Sequence, residues 1–299
     1  MSAPDLSSEP YAIAEQISPL VRRVLARNAS PFSYTGTQTY IVGHGDVAVI
    51  DPGPLGDDPA HVGELVRLLD GEHIAAIICT HTHRDHSPAA APLKAMTGAP
   101  IIGCAPLVLS DDGPRADAGF DPTYAPDRVL KDGEQLTGTD WTLTAVHTPG
   151  HTSNHLCFAL AEEKALFTGD HIMGWSTTVV SPPDGDMADY MRSLQLLIDR
   201  DDKVYYPAHG QQVDTPQRLA RGMMGHRRQR ENQILRLIGE DVTAIQAMVE
   251  RMYVGLDKRL YGAAGRSVLA HLIDLETRQR VVADGAHWRL KVRPEREPR

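Results

Sequence analysis

Residues 34–43 alternate β-forming and polar side chains, residues 47–50 and 74–79 are short unbroken apolar runs, and residues 59–69 place apolar side chains at helical spacing. A period of two marks strands and a period near 3.6 an amphipathic helix, so the first part of the chain predicts strands interleaved with helices. The Gly43-His44-Gly45-Asp46 turn joins the first two strands as a hairpin, and residues 17–26 upstream read as a helix or an extended segment. Ser87 followed by Pro88 predicts an N-cap and a first helical residue, with the helix running to Thr97 and stopping at Gly98. Residues 100–104 follow as a short strand, and the Asp-, Gly- and Pro-rich residues 110–127 as a loop forming one wall of a cleft. Strands over 129–136, 141–147, 155–160 and 165–168 then repeat the pattern, with turns at Asp132-Gly133, Pro149-Gly150 and Glu162-Glu163. Two runs of strands, each accompanied by helices, predict two sheets packed face to face with helices outside. Beyond them lie a long helix over 215–238, helices over 243–252 and 263–275, a hairpin over 281–290 with an Asp-Gly turn, and a charged, frayed tail over 294–299.

Composition narrows the class without choosing a chemistry. At 299 residues, 41% hydrophobic and 23% charged, the chain suits a large soluble domain with a smaller appendage and excludes a fibre or a disordered protein. No basic stretch leads into an apolar core at the start, and no run approaches the roughly 18 apolar residues of a membrane span, so a cytoplasmic protein is expected. Cys79, Cys104 and Cys157 are odd in number and sit among apolar residues, which predicts buried reduced thiols. The net charge of -9 is divided unevenly: from Arg221 onward Lys and Arg outnumber Asp and Glu by 16 to 10, against 14 to 29 before it. Two regions of different character follow, with a basic tail suited to an anionic substrate or to docking on the acidic body.

The candidate chemistry sits directly behind the apolar run at 74–79, in Thr80-His81-Thr82-His83-Arg84-Asp85-His86. A buried strand ending in such residues delivers them to the rim of a sheet. His81 and His83, two apart, leave on the same side and can grip one ion, while Asp85 and His86 can grip a second. Three more clusters fall at strand ends beside Gly or Pro: residues 148–155 with His151 and His155, residues 168–171 with Asp170 and His171, and residues 205–210 with His209. His44, His61, His73, His226, His271 and His287 stand alone and read as surface or core residues, although His226 lies in the segment His226-Arg227-Arg228-Gln229-Arg230-Glu231-Asn232-Gln233-Ile234.

This set of motifs, covering roughly residues 30–215, resembles the metallo-β-lactamase superfamily of hydrolases: His-x-His-x-Asp-His, Pro-Gly-His, Thr-Gly-Asp and Pro-x-His-Gly occur in that family's order. The resemblance implies a four-layer αββα sandwich with a dinuclear zinc site between the sheets. It implies His81, His83 and His151 on one Zn²⁺, Asp85, His86 and His209 on the other, and Asp170 as the bridge, with Asp51 supporting the ligand shell and Asp85 also serving in catalysis. His155 and His171 match no ligand position and are expected to hydrogen-bond around the site or line the cleft. The helices and hairpin beyond residue 220 look like a winged helix, which divides the chain into a catalytic domain over 1–220 and a C-terminal domain over 221–299. That segment and domain are similar to the β-lactamase-like protein 2 group, whose animal member is an endoribonuclease on single-stranded RNA.

The expected function is therefore a hydrolase using a metal-bridging hydroxide on a carbonyl or phosphodiester substrate, with single-stranded RNA guided by Arg227 and Arg228. β-Lactamase, lactonase or glyoxalase II-like thioesterase activity on a small lactam, ester or thioester is the alternative, and a nonenzymatic RNA-binding module is the alternative of another class. Asp170 weighs against a dedicated β-lactamase. A homodimer is compatible with the chain.

Overall fold

The computed structural model describes residues 6, 7, 9–107 and 119–291. Residues 110–118 of the expected cleft-wall loop and the expected tail over 294–299 lie outside the described residues.

A seven-stranded mixed sheet comes first. Its strands are β1 (Glu15–Gln16), β2 (Val21–Leu25), β3 (Gln38–Val42), β4 (Asp46–Ile50), β5 (His73–Cys79), β6 (Ile101–Gly103) and β7 (Arg128–Val129), adjacent in that order. The first four pair antiparallel and the later ones parallel, with α1 (His61–Leu68) and α2 (Ala90–Thr97) as crossovers. The second sheet has the order β12 (Val204–Pro207), β11 (Ala165–Gly169), β10 (Leu156–Leu160), β9 (Thr142–His147), β8 (Gln135–Thr137). Helix α3 (Met187–Ile198) links β11 to β12 as the crossover a parallel pair needs.

Strand periodicity decides what each face of the second sheet covers. Leu143 and Ala145 of β9, Leu156, Phe158 and Leu160 of β10, and Phe167 of β11 enter the core shared with the first sheet. Their neighbours Val146, Cys157 and Leu166 face the other way, onto Tyr190, Leu194 and Leu197 of α3. The expected αββα sandwich is the observed one. Helix α4 (Pro216–Gly239) passes residue 220 without a break, contributing Ala220, Met223 and Met224 to this outer core. Its second half supplies Ile234, Leu237 and Ile238 to a third core with α5 (Ile245–Met252), α6 (Tyr261–Thr277) and the hairpin β13 (Val281–Asp284) and β14 (His287–Leu290), which together form a winged helix.

Several expectations shift in detail. Of the two alternatives for residues 17–26, the extended one is observed, as strand β2. The strand expected over 129–136 divides into β7 and β8, in different sheets, because Gly133, at φ +76°, turns the chain between them. Ser87 caps no helix: its hydroxyl donates to Asp121, and α2 begins at Ala90. Gly98 does end α2, at φ +77°. All three cysteines are free and buried, and no helix among the described residues is long and apolar enough to cross a membrane.

Candidate metal centre

The ends of β5, β9, β11 and β12 bring their polar residues to one rim of the sandwich, where two buried clusters meet: His81, His83, His151 and Asp170, and beside them Asp85, His86 and His209. Two glycines permit this approach. Gly169 adopts φ +49°, and a Cβ there would lie 2.6 Å from His155 Nε2 and 2.8 Å from Thr80 Oγ1. At Gly150 a Cβ would lie 2.3 Å from Tyr190 Cα, so the turn before His151 has no room for a side chain.

Hydrogen bonds behind the rings fix which nitrogens face the centre. Asp51, at φ +50°, accepts from the Thr80 amide and hydroxyl, both at 2.8 Å, and its Oδ2 lies 3.0 Å from His86 Nδ1. With its hydrogen committed to Asp51, the Thr80 hydroxyl accepts from His81 Nδ1 at 3.0 Å. His151 Nδ1 donates to the Val179 carbonyl at 2.7 Å, and His209 Nδ1 to the Gly36 carbonyl at 3.2 Å. These four rings therefore turn Nε2 inward, bare and able to bind an ion whenever the ring is neutral.

Bare nitrogens facing one another repel unless a cation lies between them. His83 Nδ1 is 3.0 Å from both His81 Nε2 and His151 Nε2 and carries at most one hydrogen for the two. In the second cluster His209 Nε2 lies 3.2 Å from Asp85 Oδ2 and 3.3 Å from Asp170 Oδ1, and His86 Nε2 lies 3.5 and 3.6 Å from the same two atoms. Asp170 turns its other oxygen to His151 Nε2, at 3.7 Å. A tetrahedral ion with bonds of about 2.05 Å has ligand-to-ligand edges of about 3.3 Å, so both clusters have the dimensions of metal sites. His86 Nε2 and Asp170 Oδ1 are buried with no hydrogen-bond partner, another mark of places that fit a cation. The donor set fits a dinuclear centre, with Asp170 Oδ2 on the side of the first cluster and Oδ1 on the side of the second.

Charge is already organised there. Burial opposes ionisation of Asp170, yet His209 and His86 hold it well below the usual carboxylate range. Burial likewise disfavours charge on His209, but Asp170 and Asp85 raise it to about 10. Burial, then the neighbouring His86, His83 and His151, push His81 well below its ordinary value and keep it neutral.

The remaining expected residues divide. His155 accepts from the Asp170 amide at 3.2 Å and faces Thr148 Oγ1 at 2.9 Å, so it supports Asp170 from behind. His171 is fully buried with neither ring nitrogen hydrogen-bonded, and burial, His151 and Arg227 lower it to about 3. Arg228 is exposed, but Arg227 is only 4% exposed and cannot meet an RNA phosphate. Trp288, one of the few aromatic residues beyond residue 220 that could stack on bases, is a core residue of the winged helix. Thr80, Thr178 and helix α3 support the site without having been anticipated, since hydroxyl and backbone partners leave no spacing signature. A third group, Asp58, His61 and Glu64, is met by Arg27, whose guanidinium lies 2.7 Å from Glu64.

Known proteins resemble the chain in two parts. Residues 34–209 match the family model described as the metallo-beta-lactamase superfamily, and residues 244–288 match a beta-lactamase associated winged helix domain. An atrochrysone carboxyl ACP thioesterase of Cryptosporiopsis sp. is 32% identical over 80% of this chain and 69% of its own length. Its namesake in Aspergillus chevalieri is 34% identical over 77% of this chain and 70% of its own. Among solved structures, a metallo-beta-lactamase family protein of Thermus thermophilus aligns with a TM-score of 0.73 at 20% identity, covering 92% of this chain and all of the other. At that identity the likeness concerns the fold alone.

Proposed function

Because this chain belongs to the metallo-β-lactamase superfamily, we propose that it is a zinc-dependent hydrolase of thioesters, acting on acyl groups carried by an acyl carrier protein. The observation that carries the substrate class is the 32–34% identity to enzymes named as carrier-protein thioesterases, over more than three quarters of the chain. The ion pair would be held by His81, His83 and His151 on one side, Asp85, His86 and His209 on the other, and Asp170 between. Two such ions supply Lewis acidity and lower the pKa of water toward neutrality. The protein's own residues do the rest. Burial opposes charge on Asp85, yet His86 and His209 hold it well below the usual carboxylate range, so beside Asp170 it would offset the charge of the ions. The acyl–sulfur bond breaks as the carbon–oxygen bond forms, and the released thiolate takes up a proton to leave as a thiol. Pro182, Pro183 and Leu107 line a pocket beside His83 and His151, an apolar wall suited to an acyl-thioester arm.

Cleavage of single-stranded RNA, the second reading, has the exposed Arg228 and the basic balance beyond residue 220 in its favour. It loses Arg227 and Trp288 to the interior, and the rest of the protein is acidic. The test is a panel of a carrier-bound acyl thioester, a lactam, a lactone and single-stranded RNA, each offered to zinc-loaded enzyme. The thioester is expected to turn over with the highest kcat/KM. Cleavage of RNA or a lactam with no thioester hydrolysis would end this reading.

A further inference from the structure

Arg227 is a charged side chain that the site as described does not use, and its burial needs a reason. Among the described residues no carboxylate pairs with it, and a guanidinium taken out of water without a counter-ion is costly. Its Nη2 donates to the Thr178 carbonyl, its Nη1 to Ser267 Oγ at 3.4 Å, and its Cζ lies 5.1 Å from the centre of the Tyr190 ring. Residues 178 and 179 in turn support both sides of the first cluster. The Thr178 hydroxyl lies 2.8 Å from the Asp170 carbonyl and 3.0 Å from that of His171, and the Val179 carbonyl accepts from His151 Nδ1. We propose that Arg227 is a positioning residue for the metal centre: by gripping the Thr178 carbonyl it fixes the strap at 178–179 that orients His151 and Asp170. This rests on the reading of the two clusters as metal sites.

The same stretch of α4 holds the winged helix. Arg230 donates to the Met252 carbonyl at 3.1 Å and lies 4.4 Å from the centre of the Tyr253 ring, Glu231 pairs with Arg278 at 2.6 Å, and Ile234 is fully buried in the third core. Residues 227, 230, 231 and 234 are spaced i, i+3, i+4 and i+7, so they share one side of the helix. The charged segment singled out in the sequence is thus a clamp: one end grips the strap behind the metal ligands and the other grips the winged helix. The C-terminal unit is thereby tied to the geometry of the centre without touching substrate.

The test measures zinc, not turnover alone. Metal-free wild type and Arg227→Met are titrated with Zn²⁺ against a chromogenic chelator, bound ions are counted by native mass spectrometry, and melting of the metal-free forms reports folding. Arg227→Met is expected to weaken at least one zinc site by about 10–100-fold, the range typical of lost support behind a metal ligand. Arg227→Lys, which keeps a donor, is expected to recover part of that loss, while Arg236→Ala, on the exposed side of α4, leaves affinity unchanged. A purely structural role would lower the melting temperature and spare zinc affinity, and that result overturns the proposal. Thr178→Val removes the bond to Asp170 with Arg227 still in place. If Arg227→Met does not fold, wild-type zinc affinity in Thr178→Val overturns the proposal, and weakened affinity supports it. Wild type that binds no zinc overturns the metal reading itself, whereas two ions bound equally by wild type and variants overturns only the role of Arg227.

Discussion

The metal centre and the C-terminal unit both bury ionisable side chains, but they satisfy them by opposite means. At the centre, carboxylates and imidazoles face one another within 3.2–3.7 Å, leaving a set of charges that a cation would complete. Where α4 and α6 meet, Arg227 and His271 are buried with no carboxylate partner among the described residues, so the Thr178 carbonyl, the Ser267 hydroxyl and an aromatic ring take up the guanidinium and the imidazole stays neutral. The first arrangement stores binding capacity for an ion, and the second excludes further positive charge. Perturbed titration therefore does not by itself mark a reactive site.

The sharpest way to break this comparison is to remove the one carboxylate that both clusters share. Asp170→Ala is expected to lower thioester kcat/KM by roughly 10³-fold or more and to release metal, because nucleophile formation and carbonyl polarisation fail together. Metal content by mass spectrometry and steady-state kinetics check it. A variant with two ions bound and full activity would show that Asp170 is not the bridge.

Opposite electrostatics predict opposite pH responses in the metal-free protein. His209, raised to about 10 by its carboxylates against the pull of burial, stabilises the fold fully below the unfolded histidine pKa of about 6.5, and this contribution is lost as pH rises through about 10. Zinc needs the neutral ring, so the stabilisation conferred by zinc should widen over the same range. Burial, with Arg227 and His226 adding, lowers His271 to about 3, so its contribution is present above about pH 6.5 and is lost as pH falls, when the unfolded chain takes a proton the native state refuses. His271→Leu should remove about 2 kcal/mol of the stability loss between pH 7 and pH 5, measured by urea unfolding without metal. An unchanged acid response in that variant would mean that His271 is protonated in the fold.

How much of this the amino-acid order makes visible differs between the same two regions. His81, His83, Asp85 and His86 lie within six positions, and Gly150 and Gly169 stand beside their ligands because nothing larger fits, so the centre leaves a linear trace. The two sheets are equally legible, since Leu156, Phe158 and Leu160 alternate with Cys157 and Ala159 between two cores. Helix α3 leaves a weaker trace: its Asp186 cap and apolar face are ordinary, and its importance comes from Tyr190 packing beneath Gly150 and Arg227. The role of Thr178 leaves none, because a hydroxyl bonded to a distant carbonyl imposes no spacing. Nor does the basic balance beyond residue 220 say which charges are at the surface.

Arg227 and Arg228 make that last point testable. They are adjacent and chemically identical, but successive residues on a helix point about 100° apart, which leaves one buried under the strap and the other in solvent. Arg228→Glu is therefore expected to change unfolding free energy by no more than about 0.5 kcal/mol, as at an ordinary surface position. Its effect on hydrolysis of a small thioester should be correspondingly slight, because the side chain does not share the buried side of α4. If Arg228 instead guides a phosphate backbone, charge reversal would weaken RNA binding and flatten its dependence on salt. Salt-dependent RNA binding by wild type, lost in Arg228→Glu while small-thioester kinetics hold, would assign this surface to nucleic acid and separate it from the chemistry of the cleft.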